Sequence, residues 1–200
     1  MPSKALLRSA QALRAAQHVK GAAEAVTGKL DVAAVFARRD SFTSNWSDDG
    51  QVRWLESAHI DLARGHGRLT GEREVTVTDA KGATRVLTAR HAVAISTGSD
   101  AVVPPIPGLR EASPWTSREA TSAEQLPESL AVIGGGVVAV EMATAYAALG
   151  STVTLIARSG LLGGMEPFAG ERVADGLKEL GVDVRLDTGT TSVSRDDGGV

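Results

Sequence analysis

Three glycines in the last third of the chain have the spacing that suits a phosphate-binding turn. Residues 134–139 read Gly-Gly-Gly-Val-Val-Ala, which matches the pattern G-x-G-x-x-A. Gly134 would permit a tight turn, Gly136 would let a pyrophosphate approach the backbone, and Ala139 is small enough for a helix to lie close to a strand. The dipole and the first amides of such a helix favour an anion at this place. The predicted nucleotide-contacting residues are Gly134, Gly135, Gly136, Val137, Val138 and Ala139.

The segments around these glycines alternate in type, and this context gives the pattern its weight. Strand, helix, strand, helix and strand follow one another at a spacing that predicts a parallel sheet with right-handed crossovers. The alternative is a glycine-rich turn that only packs tightly. The predicted strands are 130–133, 152–157 and 182–186, and the predicted helices are 137–149, which Gly150 can end, and 171–180.

The residue at the end of the second of these strands bears on which dinucleotide is bound. An NAD site usually has an acidic residue about 20 positions after the glycines, where its carboxylate binds the ribose 2′-hydroxyl. This chain has Ile156-Ala157-Arg158-Ser159 there and no acid. Because a guanidinium can pair with a 2′-phosphate, Arg158 favours NADPH over NADH. The alternative is an ordinary solvated arginine at a strand end.

The first half of the chain lacks the regular alternation of strands and helices that is predicted for residues 130–186. Gly65-His66-Gly67 also alternates glycines, but no buried strand and amphipathic helix bracket it, so we predict loop or strand geometry there. The apolar run 92–95 predicts a strand buried on both faces. Prolines 104, 105 and 107 predict an extended connector, with further loop at Pro114 and Ser117. The other predicted elements are helices at 3–17, from an N-cap at Asp31 to about Trp46 and at 51–58, and strands at 62–64, 75–77 and 85–87 with a turn at Lys81-Gly82.

Composition and charge exclude several classes of function. The 200-residue chain has a net charge of −3 and only 4% aromatic residues, so neither nucleic acid nor an anionic membrane is an expected partner. It contains no cysteine, which excludes a disulfide, a thiolate metal site and a cysteine nucleophile within these residues and fits a cytoplasmic location. The four histidines are scattered, so no metal site is predicted.

Two segments have the composition of targeting or membrane elements. Residues 1–23 hold four basic residues and no acid, which is typical of a transit peptide and also of a basic amphipathic helix. Residues 129–150 are apolar, but three consecutive glycines would weaken a membrane-spanning helix and Glu141 would lie near its centre. We therefore expect no membrane span.

These motifs together resemble the pyridine nucleotide–disulfide oxidoreductases, with three segments in the order of that family. Residues 1–7, Met-Pro-Ser-Lys-Ala-Leu-Leu, are similar to the stretch after the second redox cysteine in the family pattern C-x-P-S-K. Ser96-Thr97-Gly98-Ser99 and the prolines that follow are similar to the A-T-G-x-x-P segment that leaves the FAD domain. Residues 131–141 are similar to the NAD(P) loop G-G-G-x-x-[GA]-x-E.

The resemblance implies an α/β fold in which a partial FAD-binding domain precedes an incomplete Rossmann-like NAD(P)-binding domain with a parallel sheet. It implies a hydride that passes from NADPH to FAD and then to a redox disulfide or another small-molecule acceptor, in a full-length protein that is a homodimer. Lys4 would lie beside the flavin, where a cation stabilises charge on the reduced ring, and Glu141 would be its partner. An acid near a helix start is also favourable by itself. Thr97 and Gly98 would contact FAD.

The sequence departs from the family pattern in what it lacks. The family's FAD-binding glycine loop and redox cysteines would lie before residue 1, and its dimerisation domain would lie beyond residue 200. The simplest hypothesis is a fragment, or a start codon assigned to an internal methionine. The alternative function, from a different class, is a nucleotide-binding module without redox turnover of its own. The predicted division is a partial FAD-binding domain at 1–108, a connector at 109–128 and an incomplete NAD(P)-binding domain at 129–200.

Overall fold

The computed structural model describes residues 2–196. Met1, which belongs to the predicted motif 1–7, the basic segment 1–23 and the predicted FAD-binding domain, and residues 197–200, which belong to the predicted NAD(P)-binding domain, lie outside the described residues. Contacts divide the chain into two compact units. The parallel-sheet unit runs from the N-terminus to Trp46 and resumes at Ala101, and the antiparallel-sheet unit is Ser47–Asp100. This grouping differs from a division at residue 108 because the N-terminal helices pack with the later segment. The assignment of each stretch to a cofactor stays a prediction.

Six helices and six strands make up the regular structure of the described residues, with short 3₁₀ turns at Ala23–Ala25 and Ser44–Trp46. In chain order they are α1 (Pro2–Gln17), α2 (Val32–Phe42), α3 (Asp49–Ser57), β1 (His66–Gly71), β2 (Glu74–Thr78), β3 (Thr84–Thr88), α4 (Ser117–Ser122), β4 (Ser129–Ile133), α5 (Val137–Leu149), β5 (Thr152–Ile156), α6 (Pro167–Glu179) and β6 (Asp183–Arg185).

The parallel-sheet unit is built on the strand order β4-β5-β6, with both neighbouring pairs parallel. Helices α5 and α6 connect these strands, and one apolar core joins them to β5. Leu155 and Val153 alternate toward that core, and each is no more than 1% exposed. Burial of a side chain of this size contributes about 1.5–3 kcal/mol. The sequence therefore predicted the parallel sheet and its helices correctly, with element ends that shift by a few residues.

A second apolar cluster attaches the N-terminal helices to this unit. Leu6 and Phe36, from α1 and α2, are buried with Ala145 and Leu149 on α5. Helix α2 begins where it was predicted, because the side chain of Asp31 accepts a hydrogen bond from the amide of Ala34. It ends at Phe42, before the predicted end near Trp46, because residues 44–46 adopt positive φ angles.

The antiparallel-sheet unit contains α3 and a three-stranded sheet of order β1-β2-β3. Most of its strand residues are exposed, and Val77, at 9%, is the buried hydrophobic residue of its strands. The turn predicted at Lys81-Gly82 connects β2 and β3, and the side chain of Asp79 accepts from the amides of Lys81 and Ala83. Such a turn is favoured because a short acidic side chain can satisfy nearby backbone amides.

Three sequence predictions are wrong. Residues 92–95 form no strand and are largely exposed, because no described strand lies beside them to complete a backbone ladder. Residues 62–64 also lack strand structure, and the strand begins instead at His66. The loop predicted around Ser117 contains helix α4, because the sequence from Thr116 to Glu119 forms a capping box.

No helix within residues 2–196 is long and apolar enough to cross a membrane. The same residues contain no group of three or more histidine, aspartate and glutamate side chains that is close enough to hold a metal ion.

Candidate nucleotide-binding site

The glycine turn joins the end of β4 to the start of α5. The Gly134 amide donates to the carbonyl of Ile156, the last residue of β5, over 2.8 Å. Gly134 has a φ of +128°, which only glycine adopts without strain. A Cβ at Gly134 would lie 4.0 Å from the Cβ of Ala139, so the small residue predicted at that position does face the turn. The backbone is therefore folded as the sequence pattern predicted.

The first turn of α5 is exposed on the side of the glycine turn. Gly136 precedes the helix in an extended conformation, with φ of −81° and ψ of 177°, and no side chain caps the helix start. A Cβ at Gly136 would have no neighbour within 4 Å. Val137 and Val138 are 51% and 53% exposed. Because the first amides of a helix have no partner within the helix, these donors are available to an anionic ligand.

Helix α4 shows the opposite arrangement and gives a reference within the same unit. The Thr116 hydroxyl accepts from the Arg118 amide, and the Glu119 carboxylate accepts from the Thr116 amide at 2.7 Å. Hydrogen bonds from the side chain and backbone of Thr116 hold the pKa of Glu119 below its ordinary value. The chain therefore supplies a cap of its own for α4, whereas it leaves the start of α5 uncapped.

The segment after β5 packs against the middle glycine of the turn. The Leu162 amide donates to the Gly135 carbonyl over 2.7 Å. A Cβ at Gly135 would lie 3.1 Å from the Gly160 carbonyl oxygen and 3.3 Å from the Cβ of Ala157. The glycine turn and the segment 158–162, here called the β5 loop, therefore form one continuous surface at the carboxyl ends of β4 and β5. This is the usual ligand-binding edge of a parallel sheet.

Arg158 lies at the start of the β5 loop and is exposed. Its guanidinium makes no hydrogen bond or ion pair with other residues in the described part of the chain. A solvated arginine of this kind is free to reach an anionic ligand. The position of Arg158 is therefore compatible with both alternatives that the sequence left open. One is an arginine that binds a 2′-phosphate, and the other is an ordinary solvated arginine.

Lys4 and Glu141 form an ion pair between α1 and α5. The lysine side chain is 56% exposed and that of the glutamate 22% exposed, so the pair is open on the lysine side. Such a partly solvated pair contributes about 1 kcal/mol or less to stability. Arg38 of α2 donates to the Ala5 carbonyl over 3.0 Å, which holds the first turns of α1 in place. The structure thus brings together the two residues whose pairing the resemblance implied.

Thr97 and Gly98 belong to the antiparallel-sheet unit. They lie in an exposed segment without regular structure, and Gly98 has a φ of +72°. A contact of these residues with FAD stays a prediction.

Sequence reasoning missed Gly170, which lies in α6 and is buried. A Cβ there would lie 2.3 Å from the carbonyl oxygen of Leu161 in the β5 loop. Its signal in the sequence was weak, because Gly170 directly precedes the helix predicted at 171–180, whereas the helix of the structure begins at Pro167. The partner of that packing could not be predicted, because Leu161 precedes the helix by several residues in an irregular segment.

The chain also matches known proteins along its whole length. The family profile described as pyridine nucleotide-disulphide oxidoreductase matches residues 1–200. Mercuric reductase from Shigella flexneri is 34% identical to this chain, over 97% of this chain and 35% of its own length. Dihydrolipoyl dehydrogenase from Acholeplasma laidlawii is 31% identical, over 92% of this chain and 55% of its own length. The chain thus spans about a third to about half of the length of these two relatives.

The fold also has solved counterparts. A Cu(II) complex of a mutant HOCl-induced flavoprotein disulfide reductase RclA from Escherichia coli has a TM-score of 0.79 and 23% sequence identity, covering 98% of this chain and 41% of that chain. A likeness at this identity shows the fold, and it agrees with the α/β class predicted from the sequence. Because the family profile matches all 200 residues and relatives above 30% identity cover most of the chain, this chain belongs to the pyridine nucleotide-disulphide oxidoreductases.

Proposed function

We propose that this chain supplies the NADPH site of an FAD-dependent oxidoreductase of the disulfide-reductase type. The observation that carries the proposal is the uncapped start of α5, where a side chain at Gly136 would meet nothing within 4 Å. The pyrophosphate of a dinucleotide needs this combination of free amides and close backbone approach. FAD, when bound, would supply the flavin that accepts a hydride from the nicotinamide.

Two further groups of this chain have proposed roles. Arg158 binds the 2′-phosphate and so favours NADPH over NADH, because a guanidinium forms strong, charge-assisted hydrogen bonds with phosphate. Lys4 holds a positive charge beside the flavin, and Glu141 fixes the position of the lysine ammonium. The exposure of the Lys4 side chain, at 56%, supports this role because it leaves the cation accessible on the side away from Glu141. Thr97 and Gly98 contribute to FAD binding.

The remaining parts of the proposal rest on the family and on the sequence rather than on this geometry. The acceptor is a disulfide or another small molecule, the full-length protein is a homodimer, and its location is the cytoplasm. The FAD-binding part is residues 1–108, the connector 109–128 and the NAD(P)-binding part 129–200. Light scattering of the full-length protein tests the dimer, since a single monomer mass would contradict it.

Calorimetric titration with NADPH and with NADH tests the nucleotide site directly. We expect the 200-residue chain to bind both dinucleotides and to bind NADPH more tightly. Arg158→Gln should weaken NADPH about tenfold to a hundredfold, the equivalent of a charged hydrogen bond, and change NADH by less than about twofold. Arg8→Gln is the matched control, because Arg8 is another exposed arginine, on α1. Absence of binding by either dinucleotide would overturn the proposed function.

The absence of cysteine from the chain favours a second candidate, a nucleotide-binding module without redox turnover. Flavin absorbance separates the two. The full-length protein is saturated with FAD, freed of excess flavin and treated anaerobically with NADPH. Retained flavin that NADPH bleaches supports the oxidoreductase, whereas NADPH binding without any retained flavin supports the module.

A further inference from the structure

We propose that Gly170 is a positioning residue for recognition of the nucleotide 2′-phosphate, although it lies in α6 outside the nucleotide-contacting segments. Its missing side chain lets the backbone of the β5 loop lie against α6, and this packing sets the position of Arg158. The inference rests on the proposed function and deepens it, because it concerns the choice between NADPH and NADH at the same site.

The β5 loop is short and is fixed at both ends. At its start, the Ala157 amide donates to the Arg185 carbonyl over 2.9 Å, which holds the chain in the sheet. At its end, the Leu162 amide donates to the Gly135 carbonyl over 2.7 Å. Only residues 158–161 lie between these two hydrogen bonds. A displacement of one of these residues must therefore change the backbone positions of its neighbours in the loop.

Gly170, in α6, lies in close contact with the backbone of this loop. An added Cβ would lie 2.3 Å from the Leu161 carbonyl oxygen and 3.2 Å from its carbonyl carbon. These are backbone atoms, so the collision cannot be relieved by rotation of a flexible side chain. The Leu161 side chain is itself buried, at 5% exposed, which also restrains the loop.

The glycine turn restrains the same loop at a second place. A Cβ at Gly135 would lie 3.1 Å from the Gly160 carbonyl oxygen and 3.4 Å from Cδ2 of Leu161. The backbone at Leu162 has a φ of +53°, a conformation that a leucine adopts only when its surroundings enforce it. The β5 loop is therefore confined between Gly135 and Gly170, and its conformation depends on both glycines.

A displaced Leu161 would shift Arg158 more than it shifts the free amides of α5. Arg158 precedes Leu161 by three residues in the same restrained loop, whereas the glycine turn, which Leu162 contacts at Gly135, is also held to β5 by the Gly134 hydrogen bond to Ile156. The pyrophosphate contacts common to both dinucleotides should therefore persist. The 2′-phosphate contact, which only NADPH makes, should be lost.

The test is the NADPH-to-NADH affinity ratio of Gly170→Ala, measured by calorimetry on the 200-residue chain. We expect the NADPH dissociation constant to rise about tenfold and that of NADH to change by less than about twofold, since the lost contact is a charged hydrogen bond. Gly176→Ala is the matched control, because Gly176 lies in the same helix and a Cβ there would meet nothing within 4 Å. It should leave both affinities unchanged.

A general loss of packing would lower the melting temperature of Gly170→Ala without changing the affinity ratio, so an unchanged ratio in a folded variant would overturn the inference. If Gly170→Ala does not fold, Leu161→Ala decides, because it removes the buried side chain that restrains the same loop and lies outside the nucleotide-contacting residues. An unchanged ratio there would equally contradict the proposal. Failure of the proposed function is distinguishable, because the unsubstituted chain would then bind neither dinucleotide.

Discussion

Two glycine pairs with the same one-residue spacing stand in opposite structural situations in this chain. Gly65 and Gly67 lie at the start of β1 in the antiparallel sheet, and a Cβ at Gly65 would lie 2.3 Å from the Thr78 carbonyl oxygen. Gly134 and Gly136 lie between β4 and α5, and a Cβ at Gly136 would meet nothing within 4 Å. Both pairs contain one residue at positive φ, so backbone conformation alone does not separate them.

The difference shows what a glycine pattern does and does not indicate. At Gly65 the missing side chain makes room for the chain itself, which is a packing requirement. At Gly136 the missing side chain leaves space that no described residue fills, beside helix amides that lack a cap. Only the second arrangement provides a place for a ligand. Substitutions at Gly65 and Gly136 test this distinction, and a substitution at Glu119 tests the contrast between the capped start of α4 and the uncapped start of α5.

Gly65→Ala should destabilise the antiparallel-sheet unit strongly and leave nucleotide binding unchanged. The φ of +144° and the overlap with the Thr78 carbonyl add strain to overpacking, for an expected loss of about 3 kcal/mol in the free energy of unfolding. Hydrogen exchange of the β1 and β2 amides measures it. Gly67→Ala is the control, because its Cβ would make an ordinary 3.6 Å contact with Val75. Equal protection in the two variants would contradict the packing role.

Gly136→Ala should have the reverse effect. A methyl group there has room and an allowed φ, so the free energy of unfolding should fall by only about 0.5–1 kcal/mol, from the poorer N-cap. The dissociation constants of NADPH and NADH should both rise about tenfold, because the methyl group occupies the place of the shared pyrophosphate. Calorimetry gives both constants and thermal melting gives the stability. Retention of full affinity for both dinucleotides would exclude a pyrophosphate at this position.

The smallest effect concerns the capped start of helix α4. Hydrogen bonds from Thr116 lower the pKa of Glu119 in the folded chain, so the carboxylate stabilises the fold above its ordinary pKa of 4.5 and loses this contribution as the pH falls through the lowered value. Glu119→Gln should therefore lose stability at neutral pH and show a weaker acid dependence than the unsubstituted chain. Chemical unfolding at pH 7 and pH 3 measures this difference. If the free energy of unfolding of the variant and of the unsubstituted chain depended on pH identically, the charge of Glu119 would make no contribution to the α4 cap.

Elements whose signals are local could be predicted from the sequence. The strands and helices around the glycine turn follow from apolar periodicity and from glycines that end helices, and Asp31 marks the start of α2 by its own side-chain bond. The run at 92–95 was mispredicted because an apolar segment becomes a strand only when another strand pairs with it. Helix α4 was not predicted although its capping sequence is local. Pro114 and Ser117 are residue types that are typical of loops, and they lie next to this short helix.

The candidate site likewise has features that follow from local sequence and features that depend on tertiary contacts. The sequence alone predicted the glycine turn and, through the family resemblance, the pairing of Lys4 with Glu141, whereas the role of Arg158 stays a prediction. It could not show that the β5 loop is confined between Gly135 and Gly170, since that contact joins a turn, an irregular loop and a helix.

The amino-acid sequence by itself determined the α/β order of the later segment, the phosphate-suited turn and the family, because each depends on residue types at fixed local spacing. Only the tertiary structure decided which glycines make room for the chain and which leave room for a ligand. The physical reason is that the role of a glycine depends on the atoms around its Cα. Those atoms come from distant parts of the chain, so their positions are fixed only by the tertiary structure.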